Sequence, residues 1–201
     1  MAVAGNIPVV VSRNTVETPL SKADLSAPRT SVRSNLPDPS YAIAVTVAAP
    51  GAAGVGATAV TVIKNNTVAA DVKNTAIVSK YGIAVSADVT DTTIMAAAGI
   101  AAGGTAGITG SAATLVNSNT VRADASTSSM RTGGGVSVDA VNDTVIRMLA
   151  GGINAAGTAA VGAAAVTLVS DKSVDALLGQ VTMDDAGNVR VKADNKDDIQ
   201  M

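Results

Sequence analysis

Acid–base chemistry at neutral pH falls first to histidine, and covalent chemistry to an activated serine or cysteine. This chain has neither His nor Cys. A catalytic base would have to come from Asp, Glu or Lys, and Glu17 is the only glutamate. Asp139, Asp143 and Asp171 stand at repeat-like positions, but no paired acid recurs beside them. The acidic stretch Asp194 to Ile199 has neither the spacing of a calcium hand nor a glycine-rich nonapeptide, so it reads as a solvated strand end. The runs GIAAGG and GTAGITG look like phosphate loops, but no Lys-Ser or Lys-Thr follows them. We therefore expect no enzyme, no cofactor and no catalytic or metal-binding residue.

The same composition constrains the scaffold. The chain has no Trp, no Phe and only two tyrosines, Tyr41 and Tyr81. Its 47% apolar content is mostly Ala and Val. Aromatic side chains bury roughly 150–250 Å² each and fill ordinary globular cores. A core of Ala and Val suits a thin architecture in which backbones lie close. A net charge of −2 argues against nucleic acid, which calls for a basic stripe. The absence of Cys leaves no disulfide framework.

One phrase returns four times: RNTVETPL from Arg13, NNTVAADV from Asn65, SNTVRADA from Ser118 and DKSVDALL from Asp171. Shifted by 53, Gly51 to Ala70 falls on Gly104 to Ala123, and that on Gly157 to Ala176. A second block repeats from Tyr81, Gly134 and Gly187. Near the start, Pro8 to Val16 falls on Val60 to Val68 with a shift of 52, while Ser31 to Asn35 keeps 53. A one-residue length change between those blocks reconciles the two. The units are residues 1–27 (the end of a preceding repeat), 28–80, 81–133, 134–186, and 187–201 (the start of another). The chain reads as a piece of a longer array.

Within a unit, Gly82 to Asp88 alternates strictly, with Ile83, Val85 and Ala87 on one face, as does Asn188 to Ala193. That is the two-residue period of a half-buried strand. Ala59 to Ile63 reads as a strand, Asn65-Asn66 as a polar turn, and Thr67-Val68 as the next strand. A fainter half-repeat of about 26 residues suggests two coils per unit, in the usual range of repeat lengths. The expected fold is all-β: a right-handed parallel β-solenoid, or β-helix, of ~53-residue repeats with two coils each. Asn14, Asn66 and Asn119 are assigned as structural turn positions whose recurrence reflects stacked corners.

Residues 92–121 carry no charge, nor do 42–63 and 148–170. By length these are membrane-span candidates, but they are Gly, Ala and Thr with little Leu, and no basic loops flank them. No membrane span is expected in this segment.

The strands GIAVSAD and GNVRVKAD, the run AAGIAAGGTAG (Ala97 to Gly107) and the turn SNTVRA resemble the repeats of very large bacterial filamentous adhesins. These are leukotoxin-like and haemagglutinin-like exoproteins exported by two-partner or autotransporter secretion. The phrase NNTVAA is also similar to trimeric autotransporter heads, but their coils are much shorter than 53 residues. The adhesin resemblance covers nearly the whole chain, less clearly residues 1–40. It implies a structural stalk segment, secreted or outer-membrane associated at the surface of a Gram-negative-type cell. Its partners would be neighbouring repeats and, through the parent protein, a host-cell or bacterial surface receptor. The alternatives are a polysaccharide-binding or polysaccharide-acting solenoid, or a membrane-inserting toxin repeat.

Overall fold

The computed structural model describes residues 2–48 and 51–201. Alternating small apolar and polar residues leave the backbone one economical solution, extended strands that bury every second side chain. The described residues accordingly form strands and no helix: β1 (Ala2–Asn6), β2 (Val9–Ser21), β3 (Asp24–Ala27), β4 (Thr30–Ala48), β5 (Ala53–Lys73), β6 (Ala76–Ser79), β7 (Gly82–Gly103), β8 (Ala106–Ser126), β9 (Ser129–Thr132), β10 (Gly135–Ala156), β11 (Ala159–Gly179), β12 (Thr182–Asp184) and β13 (Val189–Gln200). The glycine- and alanine-rich runs are strands too.

The strands stack in parallel into three sheets. A front sheet runs β1 and β2, then β5, β8 and β11; a back sheet runs β4, β7, β10 and β13; a short corner sheet runs β3, β6, β9 and β12. This is the expected parallel solenoid, but with one turn per repeat. Lys64 pairs with Asn117 and Asn117 with Ser170, each 53 residues on. The two halves of a repeat face each other across the lumen instead of stacking as separate coils. Each turn is a flattened loop, since a 22-residue strand such as β7 runs roughly 70 Å while facing sheets pack only about 10 Å apart.

The length change near the start has a definite place. Strands β1, β2 and β3 pair with a shift of 52, as in Ala27 with Ser79, whereas β4 pairs with 53, as in Thr30 with Ile83. Two residues, Pro28 and Arg29, thus stand where the next rung has Lys80, Tyr81 and Gly82. Gly82 has a φ of 142°, a conformation that L side chains rarely adopt.

True turns recur elsewhere. Lys22, Asn74, Thr127 and Gln180 open the corner after each front strand, with φ of 52°, 51°, 46° and 52°. The next residue braces the bend: Thr75 Oγ1 donates to the Lys73 carbonyl at 2.9 Å, and Ser128 Oγ to the Ser126 carbonyl at 2.8 Å.

The lumen holds two apolar compartments. Beside the corner sheet, Val68, Val72, Ile77, Val85, Val89, Val121 and Met130 form a broad core. Toward the opposite end, Val60, Val62, Met95, Leu115 and Ile146 form a smaller one. Beyond it the sheets converge. A Cβ on Gly54 would lie 2.5 Å from the Ala102 carbonyl oxygen. Hydroxyls bridge the narrowing gap, Thr58 Oγ1 to the Ala98 carbonyl at 3.0 Å and Ser111 Oγ to the Gly151 carbonyl at 2.7 Å.

Candidate functional site

Between the two apolar compartments a polar partition crosses the lumen. It is built by ordinary alternation, because polar residues fall on inward positions of strands that continue without a break. From the front sheet come Asn14, Lys64, Asn66, Asn117 and Asn119; from the back sheet Asp38, Asp91, Thr93, Asn142 and Thr144. Lys64, Asn66, Asp91, Thr93, Asn119, Asn142 and Thr144 are essentially inaccessible to water.

Lys64 is the centre. Its Nζ donates to the Asp38 carbonyl at 2.7 Å and to Asp91 Oδ1, and forms an ion pair with Asp38 Oδ2 at 2.9 Å. Asp91 Oδ2 accepts from Asn117 Nδ2 at 2.7 Å and Asn119 Nδ2 at 3.2 Å. Asp38 Oδ2 also accepts from Asn66 Nδ2 at 2.8 Å. A buried charge costs several kcal/mol unless paired and hydrogen-bonded, and both carboxylates are. One rung on, Lys64 is replaced by Asn117 and Asp91 by Thr144, so both charges leave together. An ion pair returns a rung later as Lys172 with Asp197.

Asn14, Asn66 and Asn119 do not lie at turns. They sit within β2, β5 and β8 and point inward. They do stack: Asn14 Nδ2 donates to Asn66 Oδ1 and Asn66 Nδ2 to Asn119 Oδ1, each at 3.1 Å. Asn119 Nδ2 then crosses to Asn142 Oδ1 at 3.0 Å, and Asn142 Nδ2 continues to Asn195 Oδ1 at 2.7 Å. The expected Asn65-Asn66 turn is the interior of a 21-residue strand, and the amide ladder replaces turn chemistry as the reason for recurrence.

Sequence reasoning missed Lys64, Asp38, Asp91 and Asn142. The signal was present, since Asp38 and Asp91 stand 53 apart, as do Asn142 and Asn195. The even spacing of Lys64 and Asn66 from Val60, Val62 and Val68 put them on the buried face. The carboxylates weighed as candidate bases lie on outer positions, and Asp139 pairs there with Arg190 at 3.1 Å. Tyr41 stands inside β4, and Tyr81 precedes β7.

The partition fixes register. In a two-residue period, a slip of two keeps apolar residues inside and is otherwise cheap. Here such a slip would set Val62 or Asn66 in the place of Lys64 and leave Asp91, a buried carboxylate, without its cation. The partition thus makes one stacking register far better than its neighbours. Its groups hold the rungs together, with the buried Asn117 Oδ1 left without a hydrogen-bond partner.

The chain matches no protein-family model, no curated protein and no solved structure.

Proposed function

We propose that this chain is a rod-forming stalk segment of a secreted or surface-exposed bacterial adhesin, holding a binding region away from the cell. The observation that carries this reading is the continuous parallel stack. Every long strand pairs along its length with the equivalent strand of a neighbouring rung, and the polar partition pins that stacking. Such an array adds length by adding rungs, and its stability is a sum of rung and interface terms. The resemblance of its repeats to filamentous exoproteins supplies the cellular setting. Function here is mechanical, and neighbouring repeats are its immediate partners. No helix among the described residues is long and apolar enough to cross a membrane.

Antibodies against this segment test the reading on intact cells of the source bacterium. Labelling without permeabilisation, together with a shorter cell-to-tip distance after deletion of 53-residue units from the parent, is the expected result. Labelling only after permeabilisation overturns it.

A further inference from the structure

Outward positions of the front sheet differ along the strand in how much they change between rungs. Beyond the partition, equivalent positions keep one kind of side chain from rung to rung. Val3, Val55, Ile108 and Val161 form one ridge along the rod, and Val11, Ile63, Val116 and Val169 another. Between them Gly5, Ala57, Gly110 and Ala163, with the Ala59 row beside them, floor an open concavity of about 360 Å³. Thr61, Thr114 and Thr167 stand next to the second ridge. Farther along the same strands the outward residues change freely, as in Glu17, Ala69, Arg122 and Asp175. So do those of the back sheet, as in Tyr41, Ile94, Arg147 and Gln200. Lumen packing accounts for sameness at inward positions but not at outward ones, so another constraint acts on this face. It belongs to the repeat and not to the end strands, for Ile108 on an interior rung is still 47% exposed. An uncharged apolar face of this kind marks an interaction surface.

Three observations point to a second copy of the chain as its occupant. The first is spacing. The ridges run along the rod in steps of about 4.8 Å, and a partner with the same step stays in contact at every rung. The second is shape. A dyad along the rod axis at the threonine row sets each copy's Val116 over the other's Ala112, and Thr114 over Thr114. Ridge then enters valley and hydroxyl meets hydroxyl, the self-complementarity that a two-fold interface requires. The varied row Arg13, Asn65, Ser118 and Asp171 falls opposite the Gly110 row, where there is room, since a Cβ on Gly110 would meet nothing within 4 Å. A dyad along the strands would instead set ridge on ridge and leave the valley empty. The third is area. Val55 to Thr67 runs roughly 43 Å, across four rungs of about 4.8 Å each. Each copy thus covers roughly 800 Å², about what a standard interface takes from each partner.

We propose that two copies pair side by side, front sheet to front sheet, with their rungs in matching order and both rods pointing the same way. The inference stands on this outer face alone and is independent of the adhesin reading. Sedimentation equilibrium across the micromolar range reads the mass, and single cysteines in this Cys-free chain read the contact. Thr114→Cys lies on the dyad, and Ala98→Cys on the outer face of the back sheet. Facing sheets lie about 10 Å apart, so a bismaleimide of about that reach is the crosslinker. Expected are a dimer, a crosslinked product from Thr114→Cys but not from Ala98→Cys, and a dimer weakened roughly tenfold or more by Ala112→Arg, which sets a charge under the Val116 ridge. The new arginine points outward, and circular dichroism checks that the variant folds; the cysteine pair decides the matter if it does not. Three outcomes overturn the proposal. A monomer throughout the range is one, and flotation of that monomer with phosphatidylcholine vesicles would assign the face to lipid. Association that gives no Thr114→Cys product and survives Ala112→Arg is another. It assigns contact to the end strands, since copies stacked end to end hold the two cysteines roughly 19 Å apart. The third is a product from Ala98→Cys as abundant as that from Thr114→Cys, which removes the preference for the front sheet.

Discussion

The two halves of each turn share strands, sheets and hydrogen-bond ladder, yet they are built differently. Beside the corner sheet, inward Val, Ile and Met hold the sheets apart and outward Asp, Arg and Lys keep the surface wet. Beyond the partition a smaller apolar cluster gives way to inward Gly and Ala that let the backbones close to near contact, and the outer faces are apolar. Lumen width is therefore set locally by side-chain volume, as close packing requires. The partition separates two regimes that could not otherwise meet in register.

The sharpest way to break the division is to remove its central charge. Lys64→Met leaves Asp38 and Asp91 without their shared cation in a site closed to water. Breaking a buried pair from one side costs about 3–5 kcal/mol, and a loss of that size is expected in denaturant melts. The triple variant Asp38→Asn/Lys64→Asn/Asp91→Thr removes all three buried charges, its last two changes copying Asn117 with Thr144 of the next rung, and should recover most of it. Equal loss in the single and triple variants would show that the charges are immaterial.

The narrow half is tested by volume. Gly54→Val places a side chain against the Ala102 carbonyl and should cost about 1–3 kcal/mol or more through backbone displacement. Gly110→Val, on an outer face with nothing within 4 Å, should change stability by less than about 0.5 kcal/mol. Similar effects at both positions would mean that the sheets are not packed tightly at this end.

These particulars show what the sequence could reveal. The 53-residue period and the strict alternation in Gly82 to Asp88 dictated parallel stacked strands, because both are direct imprints of register and pleat. The number of turns per repeat was not legible. A half-repeat of 26 looks the same whether two coils stack or two faces oppose, and the 53-residue strand pairing, with Lys64 meeting Asp91 across the lumen, separates them. Asn66 was found but misread, since an Asn pair suggests a turn when its neighbours are read locally. The real turn residues were invisible. Lys22, Asn74, Thr127 and Gln180 share a left-handed backbone but no side-chain chemistry.

That corner offers a smaller test on the broad half. Thr127 is β-branched at a φ of 46°, a region costing non-glycine residues roughly 1–2 kcal/mol, with Asn tolerated best. Thr127→Asn copies Asn74 of the preceding rung and should raise stability by up to about 1 kcal/mol. The gain should appear as a higher denaturant midpoint with an unchanged slope. A loss would mean that the threonine hydroxyl matters more to the corner than its backbone.

The broad half should also register acid where the narrow half does not, for several of its outer carboxylates are paired and the narrow half has none. Asp124 is the clearest case. Burial alone would raise its carboxyl, but hydrogen bonds from Ser126, Lys73 and Arg122 outweigh that and hold it below its ordinary value of 3.8. Its side chain is almost wholly buried, with Lys73 Nζ 3.2 Å away. A depressed folded value means that the unfolded chain binds the proton more readily, so the contribution is complete above that ordinary value. It is lost as pH falls toward the folded value. Asp194 is lowered as well, chiefly by a hydrogen bond from Lys192, but it lies in the exposed last strand where salt screens it. Melts between neutral pH and the acid range should therefore show a downturn below about pH 4 that shrinks in Asp124→Asn. That variant's deficit at neutral pH should survive added salt, whereas the deficit of Asp194→Asn should fade with it. If Asp124→Asn leaves the acid limb unchanged, Lys73 and Arg122 pair with Asp71 instead, and the charged face is held by exchangeable contacts.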